Sequence, residues 1–232
     1  MPPANPKRSH ASPDMRRGQA KVLKIRGILE TERQLAGSQI LAEMSDPKGS
    51  LAAVDVVDQR IAFEGYEFQL IAGTTLPFGD ASFDIVVSNH VIEHVGPAPE
   101  QLNHLHEIKR VLRPDGLLYL AVPNRWTVIE PHYRLPLLSW LPRPIADWYV
   151  RHTRSASRYD CWPPGPWQMK RLFSEAQLSA HDMCFEAIRL AAKVESRSRL
   201  IRIAEKVPKH AVLALTGFMP SLVFLAKPAC KA

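Results

Sequence analysis

The chain lacks most of the features that mark common protein classes. Its 232 residues include only three cysteines, Cys161, Cys184 and Cys230, with no C-x-x-C pair. An odd, scattered set argues against a disulfide framework or a cysteine metal site and suits a reducing compartment, so a cytoplasmic location is expected. No N-terminal apolar run resembles a secretion signal, because "MPPANPKRSHASPDMRR" is polar and proline-rich. The one long apolar stretch, 211–226, contains Gly217 and Pro220 and is too short for a transmembrane span. Any membrane contact is therefore expected to be peripheral. The net charge of +7 comes without a dense basic run interleaved with aromatics, so specific nucleic-acid binding is not expected.

What is present suits one globular domain with a full core. Hydrophobic residues make up 46% and charged residues 23%, ordinary values for such a domain. Residues 1–14 read as a disordered terminus and 15–232 as a single domain. Ser12-Pro13-Asp14 offers a helix start, followed by an apolar face through Val22, Leu23, Ile25, Ile28, Leu29 and Leu35.

Beyond Gly49 short apolar runs alternate with helical patterns. The runs "LAAVDVV" (51–57), "FQLIAG" (68–73), "FDIVVSN" (83–89) and "LLYLAVPN" (117–124) read as strands. Between the last two, Leu102, Leu105, Ile108, Val111 and Leu112 form an apolar helix face that Pro114-Asp115-Gly116 ends. This alternation predicts an α/β fold with a doubly wound, mostly parallel sheet. Ligands of such sheets bind beyond the carboxyl ends of the strands. That rule draws attention to Asp55, Gly73-Thr74-Thr75, Ser88-Asn89-His90 and Pro123-Asn124.

His90-Val91-Ile92-Glu93-His94 carries the H-x-x-E-H spacing of one zinc peptidase family. Such a site needs a stable helix and a further ligand from another helix. Here the helical run lasts about one turn before Gly96-Pro97, and no second helix offers an obvious glutamate. No metal is expected, and a zinc hydrolase is only a remote alternative.

Reading outward from that motif, "LPFGDASFDIVVSNHVIEHV" and "LHEIKRVLRPDGLLYLAVPN" closely resemble the class I S-adenosylmethionine-dependent methyltransferases. Within these segments Leu76-Pro77-Phe78, Ser82-Phe83-Asp84, Glu93-His94 and Leu112-Arg113-Pro114-Asp115-Gly116 keep the family's order and spacing. The likeness covers about residues 50–125. It is specific because several independent segments agree, and it is greatest to the subfamily of small-molecule and lipid methyltransferases.

The resemblance implies a Rossmann-like fold and S-adenosyl-L-methionine as cofactor. It places Asp55 on the ribose hydroxyls with Val56 beside it, Gly73 and Thr74 against the adenine, and Asn89 and His90 near the methionine portion. It implies methyl transfer to a small or lipid-like acceptor. Glu93 and His94 then read as groups that cap, pack or line a pocket.

One family feature is missing. The glycine-rich turn D-x-G-x-G-x-G after the first strand lets the backbone approach the cofactor, and no such run occurs in this sequence. Either "GSQIL" (37–41) or "KVLKIRGIL" (21–29) is left as the first strand. Cofactor affinity is therefore expected to be weakened or lost, and a catalytically defective relative acting as a binding or regulatory protein is the alternative reading.

The proline- and tryptophan-rich segment 125–165 does not read as a regular sheet element and is expected to be an insert or lid on the substrate side. Glu130, Tyr133 and His94 are its expected substrate contacts, with His132 as a general base for a hydroxyl acceptor. Further on, 166–178 reads as a helix, 183–191 as a strand and 221–228 as the closing strand.

Overall fold

The computed structural model describes residues 52–58, 67–153, 156–194 and 216–229. The expected disordered terminus, the helix over 15–35, both candidate first strands and the missing glycine-rich turn all lie outside them. Two sheets are present among the described residues. Strand β1 (Ala52–Asp55) pairs in parallel with β2 (Glu67–Leu70), Asp55 lying opposite Leu70. Strands β3 (Phe83–Asn89), β4 (Leu112–Pro123), β5 (Leu178–Asp182) and β6 (Ser221–Pro228) form the second sheet, in the order β3-β4-β6-β5. β3 and β4 run parallel, whereas β6 is antiparallel to both β4 and β5. The result is a Rossmann-like α/β sheet with an antiparallel closing strand.

The β3–β4 crossover is helix α1 (Ala98–Val111). Its buried residues Gln101, His104, Leu105, Ile108 and Val111 recur every three or four positions, as one helix face must. Helices α2 (Arg143–His152) and α3 (Pro166–Glu175) follow, and like α1 each has proline in its first two positions, where a missing N–H costs nothing.

Strand β4 is buried continuously from Gly116 to Pro123, and its side chains alternate between two layers. Leu118, Leu120 and Val122 join Leu105, Ile108, Leu172 and Phe173 on one face. Leu117, Tyr119 and Ala121 join Met183 and Ala187 on the other. Full burial of each large side chain contributes about 2 kcal/mol, so this strand anchors both layers.

Two elements differ from the sequence reading. The strand expected over 117–124 begins five residues earlier, at Leu112, because the turn residues are taken into a bulge that pairs Phe83 with Leu112 and Ile85 with Leu117. The strand expected over 183–191 is helix α4 (Cys184–Val194). The place beside β6 is taken by 178–182, with His181 opposite Leu225. The Asp182 carboxylate then accepts the Cys184 N–H at 2.8 Å and starts the helix.

Candidate functional site

Strand β3 ends at a sharp reversal. His90 has φ +58°, left-handed for a residue with a side chain, and its N–H donates to the Ala121 carbonyl at 2.8 Å. A single turn follows, closed by the His94 N–H to the Val91 carbonyl at 2.9 Å. His90, Glu93 and His94 thus stand on one short turn at the strand end, not on a long helix.

Glu93 is wholly buried, and neither carboxylate oxygen has a hydrogen-bond partner among the described residues. Its Oε1 lies 3.5 Å from His90 Nδ1, 3.6 Å from His132 Nε2 and 3.9 Å from His94 Nε2. Three imidazoles therefore surround one buried oxygen. The main chain fixes the residue, because its carbonyl accepts the Trp162 N–H at 2.7 Å.

The lid segment supplies the other side. His132 Nδ1 is 3.1 Å from Glu130 Oε1, and Glu130 Oε2 accepts the Tyr133 N–H at 2.6 Å. The hydrogen bond to Glu130, aided by nearby carboxylates and opposed by burial, raises the His132 pKa above its ordinary value. A cavity of about 390 Å³ opens here, lined by His94, His132, Tyr133, Ala156, Asp160 and Cys161. Tyr133 donates its hydroxyl to Asp160 Oδ1 at 2.6 Å. Burial works against ionisation of Asp160, yet hydrogen bonds from Tyr133 and Cys161 and the neighbouring His94 hold its carboxyl below the usual range. Burial first, then the Asp160 charge, pushes the Cys161 thiol up, so it stays protonated at neutral pH.

Behind this cluster, the buried His104 lies 3.2 Å from the Ser88 hydroxyl. Burial lowers its pKa to about 4 against an opposing pull from Glu93, so the ring is neutral at physiological pH. Polar contacts also tie the lid to α1. Gln101 Nε2 donates to the Trp162 carbonyl at 2.7 Å, and within the lid the Arg143 guanidinium sits 3.8 Å over the Trp162 ring.

Asp55, Val56, Gly73 and Thr74 come together elsewhere, at the ends of β1 and β2. The Ile71 N–H donates to the Asp55 carbonyl at 3.0 Å. Asp55 Oδ1 accepts the Val56 N–H at 2.7 Å, which fixes an exposed carboxylate at the strand end. Gly73 adopts φ +76°, and none of the described residues lies within 4 Å of where a Cβ would stand. A cavity of about 290 Å³ lies between β1 and β3, lined among others by Ala52, Val54, Val86, Ser88 and His104. A fixed acidic side chain beside an open glycine turn fits a ribosyl cofactor laid across strand ends.

Residues 36–120 match the family model of a methyltransferase domain. Over that segment the chain is similar to the class I S-adenosylmethionine-dependent methyltransferases. The matched segment runs through β1, β2, β3 and α1 and most of β4. A ubiquinone biosynthesis O-methyltransferase of Parvibaculum lavamentivorans is 27% identical over 129 residues, which cover 53% of this chain and 47% of that protein. A probable S-adenosylmethionine-dependent methyltransferase of Mycobacterium tuberculosis is 48% identical over 52 residues, 22% of this chain and 18% of its own length. The chain thus spans about half of the first relative and less of the second. Among solved structures, PKMT2 from Rickettsia typhi shares the fold at a TM-score of 0.50 and 16% identity, over 83% of this chain and 46% of that one.

The structure brings the sequence-predicted His94, His132 and Tyr133 to one cavity, with Glu130 behind His132, His90 beside Glu93 and Asn89 at the adjoining strand end. Asp55, Val56, Gly73 and Thr74 form the second group. Asp160 and Cys161 were not expected at the site. No local signal reveals them, because they approach His94 and Tyr133 only through the lid's tertiary path. The burial of Glu93 likewise depends on the lid.

Proposed function

We propose that the protein transfers a methyl group from S-adenosyl-L-methionine to a hydroxyl on a small or lipid-like acceptor. The observation that carries this reading is His132, paired with Glu130 and facing the cavity beside the end of β3. Asp55 with Val56 would hold the ribose, the Gly73-Thr74 turn the adenine, and Asn89 with His90 the methionine portion. When bound, the cofactor supplies an activated methyl on a sulfonium. The chain's own work is to align the acceptor oxygen, exclude water and take up its proton, and positioning carries most of the rate. His132 accepts that proton while Glu130 stabilises the imidazolium. Glu130, Tyr133 and His94 position the acceptor.

Exposed apolar side chains on the lid support a lipid-like acceptor. Val128, Ile129, Ile145 and Trp148 are each at least half exposed. The Parvibaculum relative is named for O-methylation in ubiquinone biosynthesis, which agrees with such an acceptor. The absence of a glycine-rich turn favours a second reading, a catalytically defective relative that keeps the fold as a binding or regulatory protein. Incubation with methyl-labelled cofactor separates the two. Label transfer to phenolic lipids over small polar phenols supports the proposal. Transfer only to small polar acceptors removes the lipid preference, and no transfer to either class favours the defective relative.

A further inference from the structure

We propose that His90, Glu93 and His132 bind one divalent transition-metal ion. The claim of binding stands apart from methyl transfer, and only the use of an open coordination position rests on the proposed function.

The starting point is Glu93, whose two oxygens are both buried and without hydrogen-bond partners among the described residues. Burying a carboxylate without compensation is expensive. The imidazoles nearest Oε1 stand at 3.5 Å (His90) and 3.6 Å (His132), too far for a good hydrogen bond. They stand at the right distance for another purpose. Metal bonds of ~2.0–2.1 Å at a tetrahedral angle put neighbouring ligand atoms about 3.3 Å apart. His90 Nδ1, Glu93 Oε1 and His132 Nε2 all lie within 4.8 Å of one another, so one ion reaches all three after small shifts.

The surroundings favour an ion as well. His132 turns its Nδ1 to Glu130 Oε1 at 3.1 Å, which leaves Nε2 free toward Glu93. A carboxylate behind a ligating histidine fixes ring orientation and raises ligand basicity. His90 is held by its left-handed backbone and by its N–H bond to Ala121. Two imidazoles and one carboxylate suit zinc, cobalt, iron or nickel better than calcium or magnesium.

A second set, His94, His132 and Cys161, shares His132. The Glu93 set is preferred because it leaves no buried carboxylate uncompensated. H-x-x-E-H spacing suggests a helix-borne peptidase pair, which needs a further ligand from another helix. Here the third ligand comes from the lid, and three ligands leave a position toward the cavity for an acceptor oxygen. His132 serves as the base only in the metal-free chain, because a metal-bound Nε2 takes up no proton; with the ion bound, the metal itself would lower the pKa of the acceptor hydroxyl.

The test titrates cobalt(II) into the full, chelator-treated chain without S-adenosylmethionine and follows the visible d–d spectrum and the bound-metal stoichiometry. One cobalt per chain with four- or five-coordinate bands is expected. Glu93→Gln, and separately His90→Asn, should weaken binding at least about 100-fold, while Cys161→Ser leaves it unchanged. Asparagine suits the left-handed backbone at 90, so that variant should fold even if Glu93→Gln does not. Equal affinity in the wild type and His90→Asn would overturn the proposal, as would loss of the cobalt signal on replacing the exposed His152 and His181 with alanine. Loss in Cys161→Ser, with a thiolate charge-transfer band in the wild type, would move the ion to the other set and refute this assignment.

Discussion

Replacing His104 with glutamine should flatten the protein's stability between pH 6.5 and pH 4. His104 is 7% exposed, its ring hydrogen-bonds the Ser88 hydroxyl, and burial lowers its pKa from 6.5 to about 4. Between those values the unfolded chain binds a proton that the folded chain refuses. Stability contributed by the neutral ring is therefore complete above pH 6.5 and is lost as pH falls toward 4. Each pH unit changes stability by about 1.4 kcal/mol, so the window is worth on the order of 3 kcal/mol. His104→Gln keeps a hydrogen-bonding side chain for Ser88 but cannot titrate. Urea unfolding followed by tryptophan fluorescence at half-unit steps of pH gives both profiles. Other titrating groups contribute to both chains, so the difference isolates His104. The wild type should fall more steeply than the variant by about 1.4 kcal/mol per unit below pH 6.5. Parallel profiles would refute the reasoning, because His104 would then titrate alike in both states.

Three further outcomes follow from the same structure. Glu130 raises the His132 pKa through its hydrogen bond, and a base must be neutral to act, so methyl-transfer rate should rise with pH through a value above 6.5. Glu130→Gln should move that limb to lower pH, and an unmoved limb would exclude His132 as the base. The Arg110 guanidinium donates to the Leu76 and Phe78 carbonyls at 3.0 and 2.8 Å and pairs with Asp80 and Glu107, so Arg110→Ala should cost about 2 kcal/mol by urea midpoint at unchanged m-value. A loss under ~0.5 kcal/mol would mean that these contacts do not hold the loop. A Cβ on Gly116 would stand 3.0 Å from the Arg113 carbonyl and 3.1 Å from that of Asp84, so Gly116→Ala should destabilise by about 1–3 kcal/mol, and a neutral result would show that the bulge can yield.

Sequence legibility followed the range of the forces involved. Strands β3 and β4 and helix α1 could be read because burial on both faces demands unbroken apolar runs and a 3.6-residue stripe. Strand β4's early start could not be read, since Pro114-Asp115-Gly116 has turn chemistry and only pairing with β3 overrides it. Helix α4 misled because "MCFEAIRLA" is apolar enough for either element, and occupation of the β6 edge by 178–182 decides between them. At the site, the histidines on the β3 turn and the Glu130–His132–Tyr133 group were visible as polar residues beside apolar runs. That these two groups meet, with Asp160 and Cys161 added and Glu93 sealed beneath, depends on how the lid folds back, and no local pattern encodes that.

The central claim is that the strand ends around Asp55 bind S-adenosyl-L-methionine. Calorimetric titration of the cofactor into the wild type and Asp55→Ala tests it directly. One saturable site is predicted in the wild type, weaker than about 10 μM because the glycine-rich turn is absent, and at least about tenfold weaker in the variant. The exposed side chain at 55 should leave folding stability within about 0.5 kcal/mol. No saturation up to millimolar cofactor, or equal affinity in the two proteins, would contradict the account.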